Sequence, residues 1–172
     1  MIGAVRHVFM QSKALVRAAT PDDIAFMMRV ERECATAAHW AERQYRELFV
    51  PEAIAQRLAL VAEESREHAS GRANSPLPRG FLIARHLAPE WELENIVVAP
   101  DARRMGIGRQ LLEALLAAAR ETRSQAVTLE VRESNTPARA LYENFEFKPV
   151  GRRKSYYLNP VEDAILYSRT LG

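Results

Sequence analysis

Leu93-Glu94-Asn95-Ile96-Val97-Val98-Ala99-Pro100-Asp101-Ala102-Arg103-Arg104-Met105-Gly106-Ile107-Gly108-Arg109 joins an apolar strand to a strongly amphipathic helix. Beyond the glycines, apolar residues fall at Ile107, Leu111, Leu112, Leu115, Leu116 and Ala119, which is helical spacing. A helix start leaves several backbone N–H groups without intrahelical partners, and the macrodipole makes that end positive. With Arg103, Arg104 and Arg109 beside it, the loop suits a diphosphate. Gly106 and Gly108 carry no Cβ, so a ligand can approach the backbone closely. Read alone, the loop is equally a tight strand–helix turn with solvated arginines. It is not a P-loop, because Gly108 is followed by Arg109 and Gln110 rather than by Lys-Ser or Lys-Thr. A dinucleotide fingerprint would need three spaced glycines and a later acidic residue.

The strand before the loop changes phase. Trp91 and Leu93 alternate with Glu92 and Glu94, and then Ile96 and Val98 carry the apolar positions one residue out of step. A bulge near Asn95 explains the slip; a strand buried on both faces is the other reading. Downstream, Val127, Leu129 and Val131 alternate with Thr128, Glu130 and Arg132, placing those polar residues on one face of a second strand. Glu133-Ser134-Asn135 ends it, Pro137 suits a first helical turn, and Ala138, Leu141, Tyr142 and Phe145 recur at helical spacing. Asn135 and Tyr142 lie about two turns apart, so both can border one groove.

The Arg-x-x-Gly-x-Gly loop resembles the coenzyme A pyrophosphate loop of the GCN5-related N-acetyltransferase (GNAT) superfamily. Leu129-Glu130-Val131-Arg132-Glu133-Ser134-Asn135, followed by Ala140-Leu141-Tyr142-Glu143, is similar to the RimI-type enzymes that acetylate the N-terminal alanine of a bacterial small-subunit ribosomal protein. The likeness runs from Glu92 to Leu171 and takes in Tyr156-Tyr157 and Glu162-Asp163-Ala164-Ile165-Leu166. It implies an α/β GNAT fold: a mixed central sheet of about seven strands, helices on both faces, splayed between strands 4 and 5. It also implies direct transfer of acetyl from acetyl-CoA to a protein N-terminal α-amine in a ternary complex. Glu130 would be the general base and Tyr142 the general acid. The pantetheine arm would pair with the backbone of Ile96, Val97 and Val98 and touch Asn135. The diphosphate would lie on Arg103, Arg104, Met105, Gly106, Ile107, Gly108 and Arg109. A lysine or small-molecule amine as acceptor is the alternative among enzymes, and a non-catalytic coenzyme A-binding module the alternative outside them.

The proposed chemistry stands on its own terms. An amine must lose a proton before attacking a thioester, and the departing thiolate must gain one. A phenol of pKa about 10 and a thiolate of about 8.5 are well enough matched for that second transfer. A carboxylate of about 4.3 is a weak base toward an ammonium, so Glu130 should work through a water or sit where desolvation raises its pKa. An α-amine near about 7.8 is easier to deprotonate than lysine near about 10.4, by about 3.5 kcal/mol. Each residue also has a plain structural reading: Glu130 as a solvated strand edge, Tyr142 as core filler, Asn135 as a helix cap. One departure from the family stands out. Glu146 occupies a usual glycine position where the backbone is often left-handed, so the turn should be strained or rebuilt.

The 172 residues suffice for one core, read as an extension over 1–13 and a single acetyltransferase domain over 14–172. A net charge of +2 with interspersed signs gives no nucleic-acid footprint. Arg152-Arg153-Lys154 reads as a solvated strand end, or else as a contact for an acidic substrate or a coenzyme phosphate. Cys34 alone makes no disulfide or metal framework, and His7, His39, His68 and His86 lack ligand spacing, so no metal is expected. No signal-peptide core or membrane-length apolar run is seen, so a cytoplasmic protein is expected. Ala14 to Ala18 predicts a strand, and Thr20-Pro21-Asp22-Asp23 a helix start. Ala41 to Leu48 and Pro51 to about Arg57 predict helical turns. Leu58 to Glu64 fits helix or strand; a strand is chosen because Phe81-Leu82-Ile83-Ala84-Arg85 needs an antiparallel neighbour. Ser65 to Arg79 reads as a long polar excursion, and His39-Trp40 with Glu42-Arg43 loosely resembles the family's substrate-side loop.

Overall fold

A computed structural model describes residues 14–54, 56–64 and 77–172. The extension expected over 1–13 and positions 65–76 of the polar excursion lie outside the described residues. The remainder of that excursion is corrected. Leu77, Pro78 and Arg79 are strand, with Leu77 and Pro78 paired to Glu64 and Glu63, and Arg79 is anchored by Glu64 at 2.9 Å and Asp101 at 2.8 Å.

Thr20 precedes a short 3₁₀ turn whose Asp23 carboxylate accepts the Thr20 N–H at 2.7 Å, so the helical run starts where the capping residues place it. The helices are α1 (Ile24–Arg32), α2 (Glu42–Glu47), α3 (Pro51–Ile54), α4 (Ile107–Glu121) and α5 (Thr136–Asn144). The strands are β1 (Leu15–Ala18), β2 (Arg57–Glu64), β3 (Leu77–Leu87), β4 (Glu90–Val98), β5 (Ala126–Arg132), β6 (Lys148–Leu158) and β7 (Val161–Thr170). They form one sheet in the order β1-β2-β3-β4-β5-β7-β6. Among these strands only β4 and β5 pair in parallel, because α4 supplies the crossover that parallel neighbours require. The ambiguous run at 58–64 is strand β2, hydrogen-bonded between β1 and β3, where no helix could satisfy two neighbouring edges.

The amphipathic stripe of α4 buries Ile107, Leu111, Leu112, Leu115, Leu116 and Ala119 against the sheet. Each large side chain so covered contributes about 1.5–3 kcal/mol, which ties the start of α4 to the end of β4. Gly108 is needed for packing here: a Cβ would meet Leu141 Cδ2 of α5 at 3.3 Å and Val98 Cγ2 of β4 at 3.7 Å.

The strand bulge is present, at Glu94. Asn95 faces Ile83 while Leu93 faces Ala84, so Glu94 is the extra residue. The accompanying expectation about side-chain phase is corrected. Trp91, Leu93, Asn95 and Val97 are the buried positions, whereas Ile96 and Val98 are half-buried. Asn95 takes a core position because its amide has a buried partner, described below.

Helix α5 ends in a Schellman turn. The N–H of Phe147 donates to Tyr142 O at 3.1 Å and that of Glu146 to Glu143 O at 3.0 Å. Glu146 sits at φ 62°, in the left-handed region, so the turn is kept and the residue is strained. Its ion pair with Arg169 at 3.0 Å is largely exposed on the glutamate side and offsets little. Glu146→Gly should therefore stabilise the protein by about 0.5–1 kcal/mol, raising the melting temperature by about 2 °C. A melting curve that falls instead would show that the ion pair outweighs the backbone strain.

Candidate active site

Backbone pairing between β4 and β5 runs from Glu90↔Ala126 to Leu93↔Leu129 and then stops. Past that point Ile96, Val97 and Val98 pair with Leu82, Phe81 and Gly80 of β3 on one side only. The bulge turns β4 away as β5 continues, which opens a fork with a strand edge along one wall. That is the splay expected between strands 4 and 5.

At the mouth of the fork, Pro100–Ala102 makes a 3₁₀ turn into the arginine–glycine loop. Gly106 is the N-cap of α4 at φ 82°, and no side chain caps this helix. Its first-turn N–H groups at Ile107, Gly108 and Arg109 are thus left for an anion. Arg104 and Met105 are exposed beside them, Arg104 at φ 62°. Arg103 and Arg109 are not simply solvated. Arg103 Nη2 lies 3.1 Å from the buried Cys34 Sγ, while Arg109 pairs with Glu113 at 2.9 Å and lies over the Phe145 ring. Asn135 caps α5, its Oδ1 accepting the Ala138 N–H at 3.3 Å.

Glu130 lies on β5 just beyond the last β4–β5 pair, half-buried, at the rim of a cavity of about 300 Å³ lined also by Trp91, Thr128, Val150, Arg153 and Leu166. Its Oε1 is 2.8 Å from Arg153 Nη2 of β6. The attraction of the Tyr156 hydroxyl to this carboxylate, ahead of burial, raises the Tyr156 phenol above its ordinary pKa. Tyr142 is buried, its ring 6.0 Å from Phe147 and 6.3 Å from Tyr167 between centroids. The Phe147 contact is the hydrophobic partner of the Schellman turn, so the turn that strains Glu146 also seats Tyr142. Burial first, and then the neighbouring Tyr157, hold the Tyr142 phenol well above its ordinary value. Tyr156 and Tyr157 of β6 pack edge to face at 5.2 Å.

Two sequence readings change at this site. The alternation along β5 puts Arg132 on a polar face with Glu130, yet Arg132 is buried: it stacks 4.1 Å over Tyr157, pairs with Glu162 at 3.3 Å and donates to the Asn159 carbonyl. The Arg152-Arg153-Lys154 run is exposed, as read, but it lies within β6 rather than at a strand end, and two of its arginines have carboxylate partners. Arg152 bridges Glu133 and Asp163, and Arg153 holds Glu130. Sequence reasoning also missed Glu31, whose buried carboxylate accepts the Asn95 amide at 2.7 Å and the Trp40 backbone N–H at 2.9 Å. A charged residue on the apolar stripe of α1, among Met27 and Val30, was the available signal. Among the described residues there is no cluster of three metal-ligating side chains and no helix long and apolar enough to cross a membrane.

The acetyltransferase (GNAT) family model matches residues 24–147. Over 163 residues the chain is 30% identical to a Bacillus subtilis protein named "putative ribosomal protein bS18-alanine N-acetyltransferase", covering 95% of this chain and 99% of that one. It is 41% identical over 88 residues to the ribosomal protein bS18-alanine N-acetyltransferase of Escherichia coli K12, a match spanning 50% of this chain and 60% of that enzyme. The crystal structure of the ribosomal-protein-S18-alanine N-acetyltransferase from Escherichia coli superposes with a TM-score of 0.72 at 26% identity, covering 92% of this chain and 94% of the other. With the forked sheet, the uncapped helix start and these matches together, the chain belongs to the GNAT acetyltransferase family.

Proposed function

We propose that this enzyme moves acetyl from acetyl-CoA to the α-amine of a protein N-terminus, with a ribosomal-protein alanine as the leading acceptor. The observation that carries the reading is the fork beyond Leu93↔Leu129, with Glu130 as the next residue of β5 at the rim of the adjoining cavity. The relatives named for ribosomal protein alanine acetylation support the acceptor class. A ribosomal acceptor implies an enzyme of the cytoplasm, and residues 14–172 are read as one acetyltransferase domain.

In this reading the open edge of β4 at Ile96, Val97 and Val98 pairs with the pantetheine amides, as a missing strand would. Asn135 borders that arm, and Arg103, Arg104 and the N–H groups from Met105 to Arg109 hold the diphosphate. Glu130, through a water, takes the proton from the acceptor ammonium. The amine attacks the thioester carbonyl, and Tyr142 gives its proton to the departing sulfur. Nothing in this sequence of steps requires an acyl-enzyme, so both substrates are bound together. Arg153 holds one oxygen of the Glu130 carboxylate at 2.8 Å, which orients the group and leaves its second oxygen for the water.

Radiolabelled acetyl-CoA is the direct test, offered with peptides that begin with a free alanine and with the same peptides N-terminally blocked but carrying lysine. Label should appear only on the free N-termini. Label confined to lysine, or none on free alanine, overturns the proposed acceptor.

A further inference from the structure

We propose that Glu31 and Asn95 form a positioning pair that sets the segment between α1 and α2 against the fork and so fixes the acceptor side of the site. This inference rests on the acetyltransferase reading above and deepens it.

Glu31 is 2% exposed and Asn95 6%, so both are polar groups withdrawn from water, which is costly unless they are paired. Their pairing is specific. One carboxylate oxygen accepts the Asn95 side-chain amide at 2.7 Å, and the other accepts the Trp40 backbone N–H at 2.9 Å. Asn95 is the residue immediately after the bulge, two positions past the last pair between β4 and β5. Trp40 lies in the segment joining α1 to α2 and packs on the buried Tyr45 with centroids 5.6 Å apart. The Tyr45 phenol lies beside the same carboxylate without a well-aligned hydrogen bond; burial first, then Glu31, hold it well above its ordinary pKa. One side chain of α1 therefore grips both the strand that opens the fork and the loop that runs along it. At the loop's other end Cys34 Sγ is 3.8 Å from the Val98 carbonyl, so the α1–α2 segment follows the open edge of β4.

The diphosphate loop lies at the Val98 end of that edge, so the coenzyme's bulk sits there. The Asn95 end is nearest to where β4 parts from β5 and to Glu130. Disturbing the Glu31–Asn95 contact should thus move the acceptor wall and leave the coenzyme contacts largely in place. A network of this kind is well suited to specifying one arrangement of loop and strand, because every alternative leaves a buried polar atom unpaired.

Asn95→Asp sets a carboxylate against the Glu31 carboxylate at nearly constant size. It should raise the acceptor KM about tenfold while the acetyl-CoA KM stays within about twofold, and should speed hydrogen exchange at the Trp40 amide about a hundredfold. Asn95→Ala, which only removes the donor, should act in the same direction by about threefold on the acceptor KM, and covers the case in which the aspartate variant fails to fold. The double variant Glu31→Gln with Asn95→Asp restores complementary groups: the amide introduced on α1 donates to the carboxylate introduced on β4, and its oxygen accepts the Trp40 N–H. It should recover both the KM and the exchange protection. Equal shifts in both KM values, an unchanged Trp40 amide, or no recovery in the double variant overturn the proposal. A parent enzyme that acetylates no free N-terminus overturns the acceptor reading instead, and the exchange measurements then decide the Glu31–Asn95 coupling alone.

Discussion

Tyr142→Phe should leave an enzyme that folds and binds acetyl-CoA nearly as the parent does, yet turns over about a hundredfold to ten-thousandfold more slowly. The reasoning begins with packing. The ring of Tyr142 lies against Phe147 and Tyr167, and phenylalanine keeps those contacts. No hydrogen bond within the described residues engages the hydroxyl, so its loss leaves no partner stranded and should change stability by less than about 1 kcal/mol. What is lost is the proton donor for the departing thiolate. Burial raises this phenol above its ordinary value, so the acid form persists throughout the neutral range. The sign follows: an acid of raised pKa loses its proton only at higher pH, so no fall in kcat due to Tyr142 should appear below about pH 10. Calorimetry of coenzyme binding, a melting curve and steady-state kinetics together check this. Turnover within about threefold of the parent would remove Tyr142 from the mechanism.

Glu130→Gln should cost about a hundredfold or more in kcat near neutral pH, and the deficit should shrink as pH rises. A base that relieves the acceptor of its proton matters most when the amine is protonated. An α-amine near about 7.8 is mostly neutral by about pH 9, where the glutamine variant no longer needs the help. The ratio of parent to variant should therefore fall about tenfold between about pH 7 and pH 9, measured with an N-terminal alanine peptide. A ratio independent of pH would assign Glu130 to orientation alone. The variant also separates Arg153 from its counter-charge, but Arg153 is more than half exposed, so water replaces the partner and the fold should be little affected.

Much of this architecture can be read along the chain, because it is written in short-range spacing. The stripe from Ile107 to Ala119 repeats at the period of one helix, and the alternation from Val127 to Val131 at that of one strand. Thr20 and Asn135 mark helix starts through bonds that span three residues. The Leu58–Glu64 run is different. Its own pattern suits either period, and it becomes a strand only because β1 and β3, Phe81 to Arg85 included, pair with it. The slip in apolar phase predicts a bulge and one is present, but burial keeps its alternation through Asn95 and Val97, because Glu31 makes a core position habitable for an amide.

By itself, then, the sequence determined the strand–loop–helix spacing and the anion-ready start of α4 through periodicity and short motifs, while the fork and the candidates Glu130 and Tyr142 followed from the resemblance to the GNAT family. Tertiary structure alone decided that Arg132 is buried against Tyr157, that Arg153 holds Glu130, and that Glu31 reaches Asn95 across 64 residues of chain. The physical reason is that a charged side chain shows its type in the sequence but not its partner. Which opposite charge or amide meets it is settled only when distant elements pack, and the cost of burying it unpaired then selects a single arrangement.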